Sequence, residues 1–405
     1  MSTVHARHRI VVIGAGYTGM MAAIRTARHT RRHGGQVVLV NPSSRFTERL
    51  RMHQTAAGQT LAEYEIPKLL AGSGVEFTQG WVTRIDPEER HVTVRTTAGE
   101  RVLDYDTLVY AIGSATATGT VPGVADHAHT LNGPEAAARL AARLVEISSR
   151  GGTVTVCGNG LTGIEAATEI AEAHPGLRVV LIGRDRPGWM MGDRARAYLG
   201  RALERLGIES RVGAEIVKVL PDAVELAGGE LVHSDACLWT TGFEASRLAA
   251  DSGITVDDRN RIVVDATLRS VSHPSIYAVG DSAAIRQDFG VLHGTCQSGI
   301  PSAAHAADSI GRRLRGREAR TFRFGYIHQP VSLGRKDAVI QFTHADDSPR
   351  GAFLRGRSAV LYKKLVSASP PVTYRISRYL TVPAAFLGGR PPRARSRRAM
   401  ASQPG

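Results

Sequence analysis

Ile10 to Ile13 form an unbroken apolar run between Arg9 and a glycine, with no polar position alternating inside it. A short run of this kind predicts a strand buried on both faces of a parallel sheet. The chain then turns through residues 14–19, and 20–30 predict a helix before a second buried strand at 36–40. Between 75 and 113 the pattern shortens to alternating runs at 76–84, 91–97 and 101–103, with Ala98-Gly99 as a turn before the last. This predicts a β-meander inserted in an α/β domain. Asn132 as cap and Pro134 in the first turn predict a helix whose apolar residues recur at helical spacing through 135–147.

At residue 153 the opening pattern returns. A buried strand at 153–157, a glycine turn at 158–163, a helix at 164–172 and a strand at 178–182 repeat the first unit, with Gly14 and Gly158 separated by 144 positions. Such an internal repeat predicts two parallel sheets, each with its own helix-opening turn. After Gly242 the chain returns to the first unit, adding a buried strand at 276–279. Runs at 322–324 and 338–342 read as strands of a third, smaller unit. Two basic segments with apolar faces, 354–367 and 374–387, precede an Arg-Pro tail expected to be disordered. The expected fold is therefore α/β, with two Rossmann-like domains and a small α+β C-terminal domain. The expected boundaries are 1–114 with 245–320, the insert 115–244, the C-terminal interface domain 321–389 and the basic tail 390–405.

The 405 residues suit two to three domains, and 42% hydrophobic with 22% charged residues excludes a disordered or fibrous chain. Three cysteines exclude a disulfide-stapled scaffold. The net charge of +14 points toward an anionic partner. Yet 46 of the 51 basic residues are Arg, as GC-rich coding also produces, so the charge alone assigns no function. No apolar stretch is long enough to span a bilayer. Arg7 and Arg9 before an apolar run imitate a signal peptide, but Gly14, Gly16 and Gly19 interrupt it, and the expected location is the cytoplasm.

Gly14-Ala15-Gly16-Tyr17-Thr18-Gly19 lies between a strand and a helix. The first glycine permits the tight turn, the second lets backbone approach a pyrophosphate, and the third lets helix pack on strand. The acidic residue expected at the end of the next strand is replaced by Asn41, whose amide can accept from a ribose hydroxyl. Gly158-Asn159-Gly160-Leu161-Thr162-Gly163 repeats the turn, followed by Glu165 and Glu169. Two such turns imply two cofactors side by side. After the second, Gly183-Arg184-Asp185-Arg186 lacks the carboxylate that would repel a 2′-phosphate, so Arg184 and Arg186 favour NADPH over NADH. Residues 275–281 end a buried strand with Gly280-Asp281, placing a carboxylate where open α/β sheets bind ligands.

With these turns, the strand-to-glycine segments ending at Gly113 and Gly242, and Gly280-Asp281, residues 8 to about 313 resemble the two-dinucleotide flavoproteins of the pyridine-nucleotide oxidoreductase superfamily. The resemblance implies FAD at the first turn and a nicotinamide cofactor at the second, with Val82 against the adenine and Asp281 on the ribityl chain. Cys157, Cys237 and Cys296 are too far apart in sequence for the paired cysteines of the disulfide reductases. The run at 158–169 and Cys296-Gln297 at a helix start are instead similar to the type II NADH dehydrogenase branch, together with the apoptosis-inducing-factor-like flavoproteins. There the helix start faces the flavin and a glutamine lies near the quinone site, which gives Cys296 and Gln297 their expected places. Arg49 and Arg51 would pair with phosphate or reduced-flavin charge, and His53 would donate a proton to the acceptor. Each is equally consistent with a solvent-facing turn.

The reading is an FAD-dependent NAD(P)H oxidoreductase without a redox-active disulfide. Glu165 and its helix position nicotinamide, and electrons pass to a quinone-like acceptor; no metal is expected. A tailoring oxidoreductase acting on an aromatic or polycyclic metabolite would share the scaffold. A flavin redox sensor binding nucleic acid is disfavoured by 5% aromatic residues and the absence of a DNA-reading motif. In the segment 354–367, Leu354, Leu361 and Leu365 recur among Arg355, Arg357, Lys363 and Lys364. That pattern suits the inner face of an anionic membrane, packing on the flavin domain, or a second copy in a homodimer.

Overall fold

The computed structural model describes residues 7–380; the tail 390–405 and residues 381–387 of the second apolar-faced segment lie outside them. The first apolar run forms β1 (His8–Ile13), and the glycine turn opens α1 (Tyr17–Thr30). β2 (Gly35–Asn41), α2 (Met52–Ala56) and β3 (Val75–Gln79) follow. β4 (Trp81–Asp86), β5 (His91–Thr96) and β6 (Gly99–Asp104) form an antiparallel sheet before β7 (Thr107–Tyr110). The alternating run at 76–84 is therefore two strands in two sheets. The break is Gly80, whose N–H donates to Asn41 O at 2.9 Å and where a Cβ would lie 2.5 Å from the Val94 side chain.

The repeat begins with β8 (Ala128–His129) and α3 (Pro134–Ser148), then β9 (Thr153–Cys157), α4 (Leu161–Ala173), β10 (Arg178–Gly183), β11 (Glu209–Val212) and β12 (Ala236–Trp239). Asn132 does not cap α3. Gly133 holds that position, and the Asn132 Oδ1 accepts from the Thr116 N–H at 2.8 Å, so the side chain ties two loop segments together. The chain then supplies β13 (Ile276–Ala278) and α5 (Cys296–Arg313), followed by β14 (His328–Ser332), β15 (Ala338–Thr343), β16 (Pro349–Arg355) and α6 (Gly356–Ser377).

Two five-stranded sheets result, ordered β13-β7-β1-β2-β3 and β8-β12-β9-β10-β11, with every pairing parallel. Their central strands are buried on both faces, which explains runs such as residues 10–13 with no alternation. α1 and α5 pack together beside the first sheet, and the buried Arg25 of α1 pairs with Asp308 of α5 at 2.7 Å. Residues 322–324 form no strand. The N–H of Phe322 donates to Ala266 O at 2.7 Å, and Phe322 and Phe324 join the first core.

The C-terminal sheet is antiparallel, in the order β14-β15-β16. Leu354 lies in β16 rather than on a helix. α6 continues through Pro370 and Pro371, although each removes a backbone donor, and so joins what reads in sequence as two segments. The buried Tyr374 hydroxyl donates to Tyr17 O at 3.0 Å, fixing the far end of α6 to the start of α1.

Candidate active site

Gly14 adopts φ +93°, and a Cβ there would lie 2.5 Å from Ala111 O. Gly19 closes the turn from the other side, since its Cβ would meet Gly14 O at 1.7 Å. Between them, nothing lies within 4 Å of a Cβ built on Gly16. α1 starts there without a side-chain cap, so its first N–H groups, at Tyr17 and Thr18, remain unspent, while the Ala15 N–H just before it is taken by Asn41. The second turn repeats the geometry. Gly158 has φ +123° and packs against Thr240 Oγ1, Gly163 closes on Gly158 O, and Gly160 fronts open space at the uncapped start of α4, before Leu161 and Thr162. A backbone cradle left open at the middle glycine fits a pyrophosphate in both places.

The surroundings of the first turn converge on it. Thr18 packs against Gly280 and Gly299, and Asp281 Oδ2 accepts from the Ser114 hydroxyl at 3.0 Å. The Arg49 guanidinium donates to Ser114 O and lies against Gly113. The structure thus brings Gly16, Arg49, Gly113, Gly280 and Asp281 to the carboxyl ends of β1, β7 and β13. Asn41 spends its amide on backbone, accepting from the Ala15 N–H at 2.9 Å and donating to Ser43 O at 2.8 Å. Arg51 turns to Glu48 at 3.2 Å and Gln54 at 3.0 Å. Val82 lies on β4 opposite Val94. Beside the second turn, Arg184 and Arg186 are exposed, Arg184 pairing with Glu215 at 3.0 Å. The Gly242 carbonyl accepts from Ala117 N–H at 3.1 Å.

Glu165 is buried on α4 at the junction with the C-terminal unit. One oxygen accepts from the Ser332 N–H at 2.9 Å and from Lys363 of α6, and the other faces His53 Nδ1 at 3.8 Å. Burial pushes its carboxyl up, but Lys363, His53 and the Ser332 N–H outweigh this and hold it below the usual range. Burial lowers His53 to about 4, against the pull of Glu165, so the ring is neutral, and its Nε2 is buried without a partner. One turn along, the buried Glu169 accepts from Gln59 Nε2 at 2.7 Å and Arg335 Nη1 at 3.4 Å, and burial raises its carboxyl.

Gln297 is fixed by β14 and the residue before it, donating to His328 O at 3.0 Å and accepting from the Ile327 N–H at 2.7 Å. The Cys296 thiol is pushed up to about 11 by burial, then by Asp281, and stays protonated. Cys157 and Cys237 sit on neighbouring strands with their sulfurs 3.6 Å apart, and all three cysteines are free. Lys363 corrects its sequence assignment as a membrane-facing charge. Its side chain is 14% exposed and is spent on Glu165 and Pro330 O. Its partner lies 198 residues away, as Arg335 lies 166 from Glu169, so no local pattern reveals either contact.

Residues 8–311 match the pyridine nucleotide-disulphide oxidoreductase family. The chain is 31% identical over 352 residues to an NADH dehydrogenase-like protein of Mycobacterium tuberculosis, covering 82% of this chain and 87% of that one. It is 25% identical over 390 residues to a type II NADH:quinone oxidoreductase of Staphylococcus epidermidis, covering 89% and 94%. The structure of NDH2 from Plasmodium falciparum in complex with NADH superposes with a TM-score of 0.77 at 15% identity, covering 92% of this chain and 98% of that one, a likeness of fold. With its two parallel sheets and paired glycine turns, the chain belongs to the pyridine nucleotide-disulphide oxidoreductase family and is an oxidoreductase with no disulfide among its three cysteines.

Proposed function

We propose that this protein is an FAD-dependent NAD(P)H:quinone oxidoreductase. The observation that carries the reading is the pair of open glycine cradles, one surrounded by Arg49, Gly113 and Asp281 and the other followed by Arg184 and Arg186. Relatives named as type II NADH:quinone oxidoreductases support the acceptor class. Gly14, Gly16 and Gly19 would hold FAD, with Asp281 toward its ribityl chain, and Gly158, Gly160 and Gly163 would hold the nicotinamide dinucleotide. The chemistry FAD supplies when bound is acceptance of a hydride and delivery of two electrons. The protein residues orient and insulate. Glu165, tied to Lys363 and Ser332, fixes α4 against the C-terminal unit, and Gln297 holds the start of α5 at the acceptor side.

Domain limits of 1–114 with 245–320, 115–244 and 321–389 belong to the same reading. So does peripheral contact with the inner face of a membrane. Leu361 and Leu365 are 61% and 65% exposed on α6, and no helix among the described residues is long and apolar enough to cross a bilayer. Anaerobic stopped-flow mixing of the flavin-loaded protein with NADH and with NADPH tests the redox assignment. Bleaching of the flavin band by at least one of them is expected, and bleaching by neither overturns the reading. Flotation of the full chain and of a Leu361→Asp/Leu365→Asp variant with anionic vesicles tests the contact. Equal flotation removes those leucines from it.

A further inference from the structure

We propose that Tyr362 and His328 form a proton relay for the acceptor half-reaction, carrying protons from solvent to the oxygens of a bound quinone-like acceptor. The inference rests on the quinone-reducing reading above and adds the route by which the acceptor gains its protons. A quinone that takes up two electrons must also take up two protons to become the hydroquinone. The relay is built from residues of two elements that meet only in the fold.

The Tyr362 hydroxyl and His328 Nδ1 lie 2.8 Å apart, with the rings edge to face at 5.4 Å and 89°. Tyr362 is half-buried on α6, its ring edge to face with Phe342 of β15 and packed against the small core that holds Ile340, so the pair sits between α6 and the C-terminal sheet. His328 opens β14. Its carbonyl accepts from Gln297 Nε2 at 3.0 Å, and its N–H donates to Gln297 Oε1 at 3.4 Å. The backbone of His328 is thereby fixed to the start of α5, where Cys296 and Gln297 lie. Among the described residues His328 Nε2 has no hydrogen-bond partner, and that nitrogen is left to carry the ring proton when the phenol donates to Nδ1.

The charged neighbours keep both groups in the forms a relay requires. Burial and then Lys363 of α6 lower the His328 imidazole, against Asp347 from the β15–β16 turn, which pulls the other way. Burial raises the Tyr362 phenol. The pair is thus a neutral imidazole beside a protonated phenol. Lys363 cannot replace it as a donor without breaking its contacts to Glu165 and Pro330. In one pass, the Nε2 proton goes to an acceptor oxygen, the phenolic proton moves to Nδ1, and the phenolate oxygen takes a proton from water. The tautomer is reset when Nε2 takes up one proton from solvent and Nδ1 gives one up, an exchange with no net proton. Each pass forms one O–H bond on the acceptor and consumes one solvent proton, and two passes balance the two electrons drawn from the nicotinamide cofactor.

The test compares acceptors on the flavin-loaded full chain. Menadione needs protons when reduced, whereas ferricyanide takes one electron and none. Tyr362→Phe removes one hydroxyl, and His328→Gln keeps a polar side chain against α6. Both variants should lose about tenfold or more in menadione turnover, with a larger solvent isotope effect in the phenylalanine variant, while ferricyanide turnover stays within about twofold of the parent. Retained menadione turnover in Tyr362→Phe, or parallel loss with both acceptors, overturns the relay. Failure of the parent protein to bleach with either nicotinamide cofactor instead overturns the underlying reading, so the two failures are distinguishable.

Discussion

Lys363 and Glu165 are separated by 198 residues and joined by a hydrogen bond that fastens the C-terminal helix to the helix opened by the second glycine turn. The carboxylate also accepts the Ser332 N–H, so three segments meet on one buried charge. A buried pair contributes little net stability when intact, but removing one partner leaves the other charge without compensation.

Lys363→Met should therefore cost about 3 kcal/mol at neutral pH, and it should reverse the sign of one pH dependence. In the parent protein the Glu165 carboxyl lies below its ordinary value, so its stabilisation is present above about pH 4.5 and is lost as pH falls through the folded value. Without Lys363, burial dominates and raises that value, and stability then falls as pH rises. Urea unfolding at pH 4 and pH 7 separates the two behaviours. A variant whose loss is the same at both pH values would contradict the assignment.

His53 provides a second window of the same sign, at higher pH. Its folded-state value of about 4 lies below the ordinary 6.5, so the unfolded chain takes up the proton first as pH falls. Stability linked to this ring is fully present above about pH 6.5 and is lost toward pH 4, by about 3 kcal/mol at most. Glu165, Lys363, Arg335 and Arg51 all act on it. His53→Leu should flatten the melting temperature between pH 7 and pH 5 relative to the parent protein. An unchanged slope in thermal scans would mean that His53 is not the titrating group.

The glycine turns, the central strands and the return of the chain to its first sheet were legible because each rests on a short local pattern: an apolar run, a spacing of glycines, a strand ending in Gly280-Asp281. The polar junction was not. Lys363 sits in a run of basic residues and reads as surface charge until α6 is packed, and Gln59 and Arg335 carry no signal of their contact with Glu169. Leu354 has helical spacing to Leu361 yet forms a strand edge, because its pairing with Ile340 is a tertiary event. Phe322 and Phe324 look like a strand because they alternate, but they alternate into the first core without a ladder partner.

Gly160→Ala separates a ligand role from a structural one. No atom lies within 4 Å of the added methyl, and the backbone φ of −73° suits alanine. Folding stability should stay within about 0.5 kcal/mol of the parent. The affinity for the nicotinamide dinucleotide should fall tenfold or more, to the order of 1.4 kcal/mol, because the methyl occupies the space in front of the unspent N–H groups. Gly158→Ala should instead destabilise the fold itself, given φ +123° and the 2.6 Å approach to Thr240. Titration of the flavin-loaded protein with NADH, alongside a thermal scan, gives both readings. Equal affinity in Gly160→Ala would remove that cradle from cofactor binding.

The proposed preference for NADPH over NADH would turn on two exposed arginines with different surroundings. Arg184 already pairs with Glu215 at 3.0 Å, whereas Arg186 has no carboxylate partner among the described residues. A 2′-phosphate approaching this loop would meet a free guanidinium at Arg186 and would have to compete with Glu215 for Arg184. Because the competing pair is exposed, breaking it costs little. Glu215→Gln should thus raise the ratio of kcat/KM for NADPH over NADH by about threefold, and Arg186→Ala should lower it by about tenfold, as expected for loss of one charge-assisted contact. Both shifts should shrink as ionic strength rises from 50 to 500 mM, since screening acts on exposed charges. Steady-state kinetics with the two cofactors at both salt concentrations check this, and a ratio that neither substitution moves would show that these arginines do not read the ribose.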